Sequence, residues 1–195
     1  RDAEPETVLS NKRFPWLSMR NIELGKVPTM AIRVAYTGEL GWELHHPIEM
    51  QNHLWDRLMK AGKMHGLKLV GARAHNWLRQ EKSYRAFGTE LGRDATPLEA
   101  ALDRFVDLEK DYHGKQAMLD IGVRSKCVTL LIDGPQDTDP WGREALYDGD
   151  TKVGRLTSGG YSVAFGKSIG MGYVRPDLAE PGTKLKVKML DQLWE

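Results

Sequence analysis

Cysteine is almost absent: Cys127 is the one cysteine among 195 residues, so the chain holds neither an internal disulfide framework nor a cysteine-based metal site. A reducing compartment is the expected home, the cytoplasm or an organelle matrix. Long hydrophobic runs are missing as well. No stretch approaches the roughly 18 apolar residues of a membrane span, and Arg1 to Glu6 lack the charged-then-apolar pattern of a secretory leader. No membrane partner is expected. Charge of one sign is lacking too, since 28 Lys and Arg face 27 Asp and Glu for a net charge of +1. That leaves no bulk field to hold a polyanion and excludes non-specific nucleic-acid binding. An initiating Met is absent, and Leu190 to Glu195 stop just after a strand-like run, so both ends read as cut from a longer chain.

What is present is the composition of a folded domain, 41% hydrophobic and 28% charged, well away from the disordered corner. The length corresponds to one sizeable core or two small ones. Residues 20 to 46 read as a three-stranded meander: Ile22 and Leu24, a Gly25-Lys26 turn, alternating Met30, Ile32 and Val34, then Trp42 and Leu44. From Pro47 the period becomes helical, with Met50, Leu54, Leu58 and Met59 on one stripe and Gly62 or Gly66 as the stop. Leu67 to Val70 reads as a short strand and Ala72 to about Lys82 as a second helix. Thr96-Pro97-Leu98-Glu99 is a capping box with Pro at the first helical position, predicting a helix that buries Leu98, Leu102 and Phe105. A short helix through Met118 and Leu119 follows Gly114. Then come five strand-like runs, Cys127 to Ile132, Glu144 to Tyr147, Lys152 to Thr157, Ser168 to Val174 and Lys184 to Leu190, which predict a small β-barrel or sandwich. The class is α+β.

Several catalytic patterns fail on context. The six histidines share no i, i+4 pair and no cysteine framework, so no metal site is expected. Gly166-Lys167-Ser168-Ile169-Gly170 has the letters of a hydrolase elbow, but a strand follows the serine and no histidine comes later in the chain. Tyr161 stands where a phosphate-binding loop needs its first glycine, and Gly170-Met171-Gly172 lies inside a strand run.

Two clusters are denser than structure requires. Tyr36-Thr37-Gly38-Glu39-Leu40-Gly41-Trp42-Glu43 packs two glycines, two aromatics and two carboxylates into a strand junction. It is either a decorated hairpin with Trp42 in the core or part of a site. Arg73, Trp77 and Glu81 recur at i, i+4 spacing, beside Arg79, Lys82, Tyr84 and Arg85. That helix face is either solvated or functional.

At these residues the sequence resembles the folate-binding aminomethyltransferase family, which includes the glycine cleavage T-protein and the C-terminal halves of dimethylglycine and sarcosine dehydrogenases. The resemblance is carried by Tyr36-Thr37-Gly38-Glu39-x-Gly41-Trp42-Glu43, Leu78-Arg79-x-Glu81-Lys82-x-Tyr84-Arg85-Ala86-x-Gly88 and Thr96-Pro97-Leu98-Glu99-Ala100. It continues in Asp139-Pro140-Trp141-Gly142, Thr157-Ser158-Gly159-Gly160-Tyr161-Ser162 and the run from Gly166 to Val174. The Gly-Trp-Glu and Glu-Lys-x-Tyr-Arg-Ala variants are closer to the dehydrogenase branch.

The resemblance implies a partial ferredoxin-like folate-binding region over residues 1–122 and a C-terminal β-barrel domain over 123–195. It implies tetrahydrofolate-dependent transfer of a one-carbon unit from a methylated or aminomethyl amine, as in glycine-betaine-type amine catabolism. Glu43 matches the carboxylate that holds the pterin, Arg73 an arginine serving the carbonyl edge or orienting Glu43, and Tyr36 and Tyr84 tyrosines lining the folate. No catalytic residue is carried over, because the family's aspartate lies upstream of this segment, as would an FAD-binding oxidase domain. Arg104 departs from the dehydrogenase pattern, which has an aromatic folate contact there. A homodimer could cover a face left open by missing upstream residues. The alternative is a non-catalytic folate-binding or interaction module on the same fold. A tRNA-modification-type relative fits poorly, since Lys126-Cys127-Val128 lacks the glycine and tyrosine of that motif.

Overall fold

Gly25 and Lys26 both take positive φ, +58° and +74°, the geometry of a two-residue turn whose twist matches paired strands. This turn sets the register of the first sheet in the computed structural model, which describes residues 9–134 and 138–195. Residues Arg1 to Glu6, read above for a leader, lie outside the described residues. The chain divides into two compact units, Arg1–Ala72 and Arg73–Glu195.

In the first unit β1 (Met19–Leu24), β2 (Val27–Ile32) and β3 (Glu43–His45) form the expected antiparallel meander in the order β1-β2-β3. Alternation along β2 buries Val27, Thr29 and Ala31. Phe14 completes this core, fully buried and edge-on to Trp42 at 6.2 Å between ring centroids. Arg33 is buried beside them, donating to the Phe14 carbonyl and to Asn11. A 3-10 turn at Ile48–Met50 leads into α1 (Gln51–Gly62), which buries Leu54 and continues as a 3-10 turn at Lys63–His65 that stops at Gly66 in the left-handed region. His53 Nε2 lies 2.8 Å from the Gly25 carbonyl oxygen, tying α1 to the hairpin turn. Leu67 to Val70 differs from expectation: these residues are exposed and form no strand. A short apolar run needs a partner edge to become a strand, and the described sheet ends at β3.

The second unit opens with α2 (Ala72–Glu81). The capping box forms as read, with the Thr96 N–H donating to Glu99 Oε2 at 2.8 Å and the Glu99 N–H to Thr96 Oγ1 at 3.2 Å. The helix it predicts does not. Ala101 turns left-handed at φ +54°, and only a 3-10 turn at Asp103–Phe105 follows, with Phe105 70% exposed rather than buried. The physical reason is Glu99, which is buried and turned toward Arg124 at 2.8 Å, while its carbonyl accepts the Cys127 N–H. That claim on the chain outweighs a local helix signal. The short helix α3 (Lys115–Ile121) is present and buries Met118.

Six strands follow where five runs were read: β4 (Lys126–Ile132), β5 (Ala145–Asp148), β6 (Thr151–Ser162), β7 (Lys167–Val174), β8 (Lys186–Met189) and β9 (Gln192–Trp194). They pair antiparallel in the order β4-β7-β6-β5-β8-β9, and the Asp133 N–H donates to the Glu195 carbonyl at 2.6 Å, drawing the outer strands together at one end. Ile132, Leu146, Val153, Leu156, Val174, Leu185, Val187 and Met189 fill the interior. Ser168 lies within β7 at 4% exposure, so the elbow-like letters are strand residues. Among the described residues no group of three His, Cys, Asp or Glu is placed to hold a metal ion, and no helix is long and apolar enough to cross a membrane.

Candidate functional site

In the first unit, β3 begins at Glu43, directly after Trp42. The Glu43 side chain is 56% exposed, and its Oε2 lies 3.3 Å from His45 Nε2, two residues along the same face. One weakly held oxygen leaves most of the acceptor capacity of the carboxylate open. Trp42 has its ring under Arg33, 5.6 Å from the guanidinium carbon, and its Nε1 is buried without a hydrogen-bond partner among the described residues. A buried indole N–H is ordinarily satisfied, so this donor is an exception among the described residues. Tyr36 is half-buried in the turn that follows β2. The hairpin reading and the site reading of this junction are compatible, because Trp42 packs on Phe14 while Glu43 remains accessible.

In the second unit, Arg73 lies in the first turn of α2. Its guanidinium stands 5.1 Å from the Trp77 ring and 5.2 Å from the Trp141 ring, and its Nη2 donates to both oxygens of Asp139 at 2.9 and 3.0 Å. These residues, with Asn76 and Gly159, line a cleft of about 280 Å³. Tyr84 is half-buried beyond the end of α2, and its backbone carbonyl accepts from Arg79 Nη1 at 2.7 Å. The sequence-predicted residues thus fall two in each unit, and in the second unit Arg73 has gathered Asp139 and Trp141 around it.

The remaining face of α2 is neither solvated nor open. Arg79 and Gln80 are fully buried, Gln80 Nε2 donates to the Gly159 carbonyl at 3.3 Å, and Glu81 Oε1 accepts from Ser162 Oγ at 2.5 Å. A Cβ at Gly160 would overlap the Trp77 ring, so this glycine is what lets the helix lie against β6. Arg79 Nη1 reaches Glu90 Oε2 at 2.8 Å, and Glu90 Oε1 accepts from Thr157 at 2.7 Å and Ser158 at 2.6 Å. Burial alone pushes the Glu90 carboxyl up, but hydrogen bonds from Ser158, Ala86, Thr157 and Thr89 outweigh it and hold the group below its usual range. Glu90 went unread in the sequence. The one signal of it was the pair of hydroxyls at Thr157-Ser158, far away in the chain.

The glycine cleavage T-protein family accounts for nearly the whole sequence. Its N-terminal domain model matches residues 2–110 and its C-terminal barrel domain model residues 126–195. Dimethylglycine dehydrogenase from Rattus norvegicus mitochondria is 41% identical over 189 residues, covering 93% of this chain and 22% of that protein. An aminomethyltransferase from Caldanaerobacter subterraneus subsp. tengcongensis is 35% identical over 170 residues, covering 85% of this chain and 45% of that protein. The crystal structure of the glycine cleavage system aminomethyltransferase T from Bartonella henselae superposes with a TM-score of 0.76 at 27% identity, over 85% of this chain and 47% of that one. The chain therefore spans less than half the length of each of these relatives, and by both of its parts it belongs to the glycine cleavage T-protein family.

Proposed function

We propose that this chain is the C-terminal part of a tetrahydrofolate-dependent one-carbon transferase that takes its carbon from a methylated or aminomethyl amine. The observation that carries the reading is the Glu43 carboxylate, 56% exposed with only His45 Nε2 near one of its oxygens among the described residues. The chemistry of this carboxylate fits a pterin edge, where adjacent ring N–H and amino donors meet its two acceptors. Tetrahydrofolate, when bound, supplies the nucleophilic nitrogen that accepts the carbon unit.

On this reading Glu43 binds and orients the pterin, and Tyr36 offers a flat face and a hydroxyl. Arg73, held by Asp139 through one nitrogen, retains donors for a carbonyl or carboxylate and is proposed as a folate contact on the family resemblance. Tyr84 is proposed as a further aromatic contact. We also propose that the folate-binding region covers residues 1–122 and the barrel domain 123–195. The higher identity to dimethylglycine dehydrogenase than to the aminomethyltransferases supports the dehydrogenase branch, with FAD bound by a separate oxidase domain. It also supports a mitochondrial-matrix location if the source is eukaryotic.

The test is calorimetric titration of tetrahydrofolate into this chain and into a form extended at its N-terminus. Glu43→Ala should weaken binding about tenfold or more, as the loss of a charged hydrogen-bonding partner costs roughly 1 to 3 kcal/mol. Unchanged affinity in Glu43→Ala removes Glu43 from the site. Binding by neither form leaves the second reading, an interaction module built on the same fold.

A further inference from the structure

The outer face of the barrel carries a second polar site, remote in residue content from Tyr36, Glu43, Arg73 and Tyr84. A pocket of about 380 Å³ lies between the 88–95 loop and strands β6 and β7, with Arg143, Arg155, Ser125 and Tyr173 in its wall. It adjoins a second hollow of about 370 Å³ that shares Ser125, Arg155 and Tyr173 and adds Lys152. Neither the Arg143 nor the Arg155 guanidinium has a hydrogen-bond or ion-pair partner among the described residues. Two further arginines of the groove are engaged, Arg124 by Glu99 and Arg175 by Asp177.

Two features show that this arrangement is built. Arg143 is held at φ +85°, a conformation that side-chain-bearing residues rarely adopt and that persists only when neighbours enforce it. Here its N–H donates to the Leu156 carbonyl at 2.8 Å, while Glu144 clamps the two preceding amides, Trp141 and Gly142, at 2.8 Å each. On β6 a register shift between Leu156 and Ser158 and the pairing of Arg155 with Tyr173 set Arg155 into the same pocket. Of the two carboxylates in the wall, Glu90 is committed to Arg79, and Asp94 is exposed.

Two unpaired planar forks and a serine hydroxyl around one cavity recognise a planar or tetrahedral oxyanion by bidentate hydrogen bonds. The volume admits a small molecule rather than a lone ion. We propose that this pocket is an oxyanion-binding site for a multiply charged small molecule bearing phosphate or carboxylate groups, held between Arg143 and Arg155. The site is independent of the folate reading: it uses none of those residues and its test contains no folate.

The experiment is titration calorimetry of the full chain at fixed ionic strength with inorganic pyrophosphate in one arm and citrate in the other. Saturable binding of one to one stoichiometry is expected in at least one arm, and which arm binds tells phosphate from carboxylate. Arg143→Ala and Arg155→Ala should each weaken it at least tenfold. Asp94→Asn, which removes the opposing charge, should tighten it a few-fold, a change in the direction that misfolding cannot mimic. Lys60→Ala on α1 should leave it unchanged. No saturable binding in either arm overturns the proposal, as does equal affinity in both arginine variants when their circular dichroism and melting match the parent.

Discussion

Arg79 and Glu90 meet at 2.8 Å with side chains 1% and 0% exposed, and around this pair the end of α2, the loop before Leu91 and strands β6 and β7 are assembled. Removing one partner of such a pair strands the other charge in the interior, which typically costs about 3–5 kcal/mol. Glu90→Ala should therefore lower stability by that amount and leave Arg79 facing the Met171 sulfur at 3.7 Å. Ser158→Ala removes one of several donors to Glu90 and should cost only about 1 kcal/mol. Denaturant midpoints separate the two. A Glu90→Ala loss below that of Ser158→Ala would show that the pair holds nothing together.

The contact between Trp77 and Gly160 makes a second prediction. A methyl group at position 160 would stand inside the indole ring, and β6 is fixed here by its pairing with β7, Gly160 opposite Ile169, so the ring must move. Overpacking of this kind costs typically 1–3 kcal/mol. Gly160→Ala should destabilise by at least that and shift tryptophan fluorescence. In the Trp77→Leu background the same glycine substitution should cost markedly less. Additive effects in the double variant would place the strain elsewhere.

The meander was legible because alternation and a Gly-Lys turn are short-range facts. The barrel strands were legible as apolar runs, but the run read as Lys152 to Thr157 continues to Ser162 in β6, where glycines and serines carry no apolar signal. The family-like run from Leu78 to Gly88 read as a dense functional patch, yet Arg79 and Glu81 face β6 and the barrel; their partners Glu90 and Ser162 lie 11 and 81 residues away. No periodicity can announce such a partner. The same holds for Thr96 to Glu99, where the capping box formed and the helix did not, because Arg124 and Cys127 held Glu99 from 25 residues or more downstream. Glu43 was singled out by the dense 36–43 cluster and by the family resemblance, and it lies 56% exposed at the start of a three-residue strand. The Arg143 and Arg155 pocket was not, since it needs a positive φ and a strand irregularity to exist.

Cys127 tests the packing of β4 without disturbing it. The thiol is buried, and burial, the largest influence, pushes it up to about 11. At pH 8 about one thiol in a thousand is then ionised, and thiolate is the reactive form. A disulfide-exchange reagent should label the native chain on the timescale of its opening only, and label the unfolded chain at once. Immediate stoichiometric labelling without denaturant would mean that the 86–100 segment does not cover β4 in solution.

Glu99 ties the capping turn to acid sensitivity. The hydrogen bond from Arg124 is the main influence on its carboxyl, stronger than the opposing effect of burial, and brings it down to about 2 from an ordinary 4.5. A group whose folded value is depressed stabilises the fold above its unfolded value and loses that contribution as pH falls toward the folded one. Stability should thus be level in this respect above about pH 4.5 and fall between there and pH 2, by at most about 1.4 kcal/mol per pH unit from this group. Because the Arg124 side chain is 58% exposed, added salt should shrink the effect. Glu90, depressed in the same direction, adds to the slope. Glu99→Gln should lower stability at pH 7 and flatten the acid limb, so that the two proteins converge near pH 2 in urea titrations. Parallel curves across that window would show that Arg124 does not hold the carboxylate in solution.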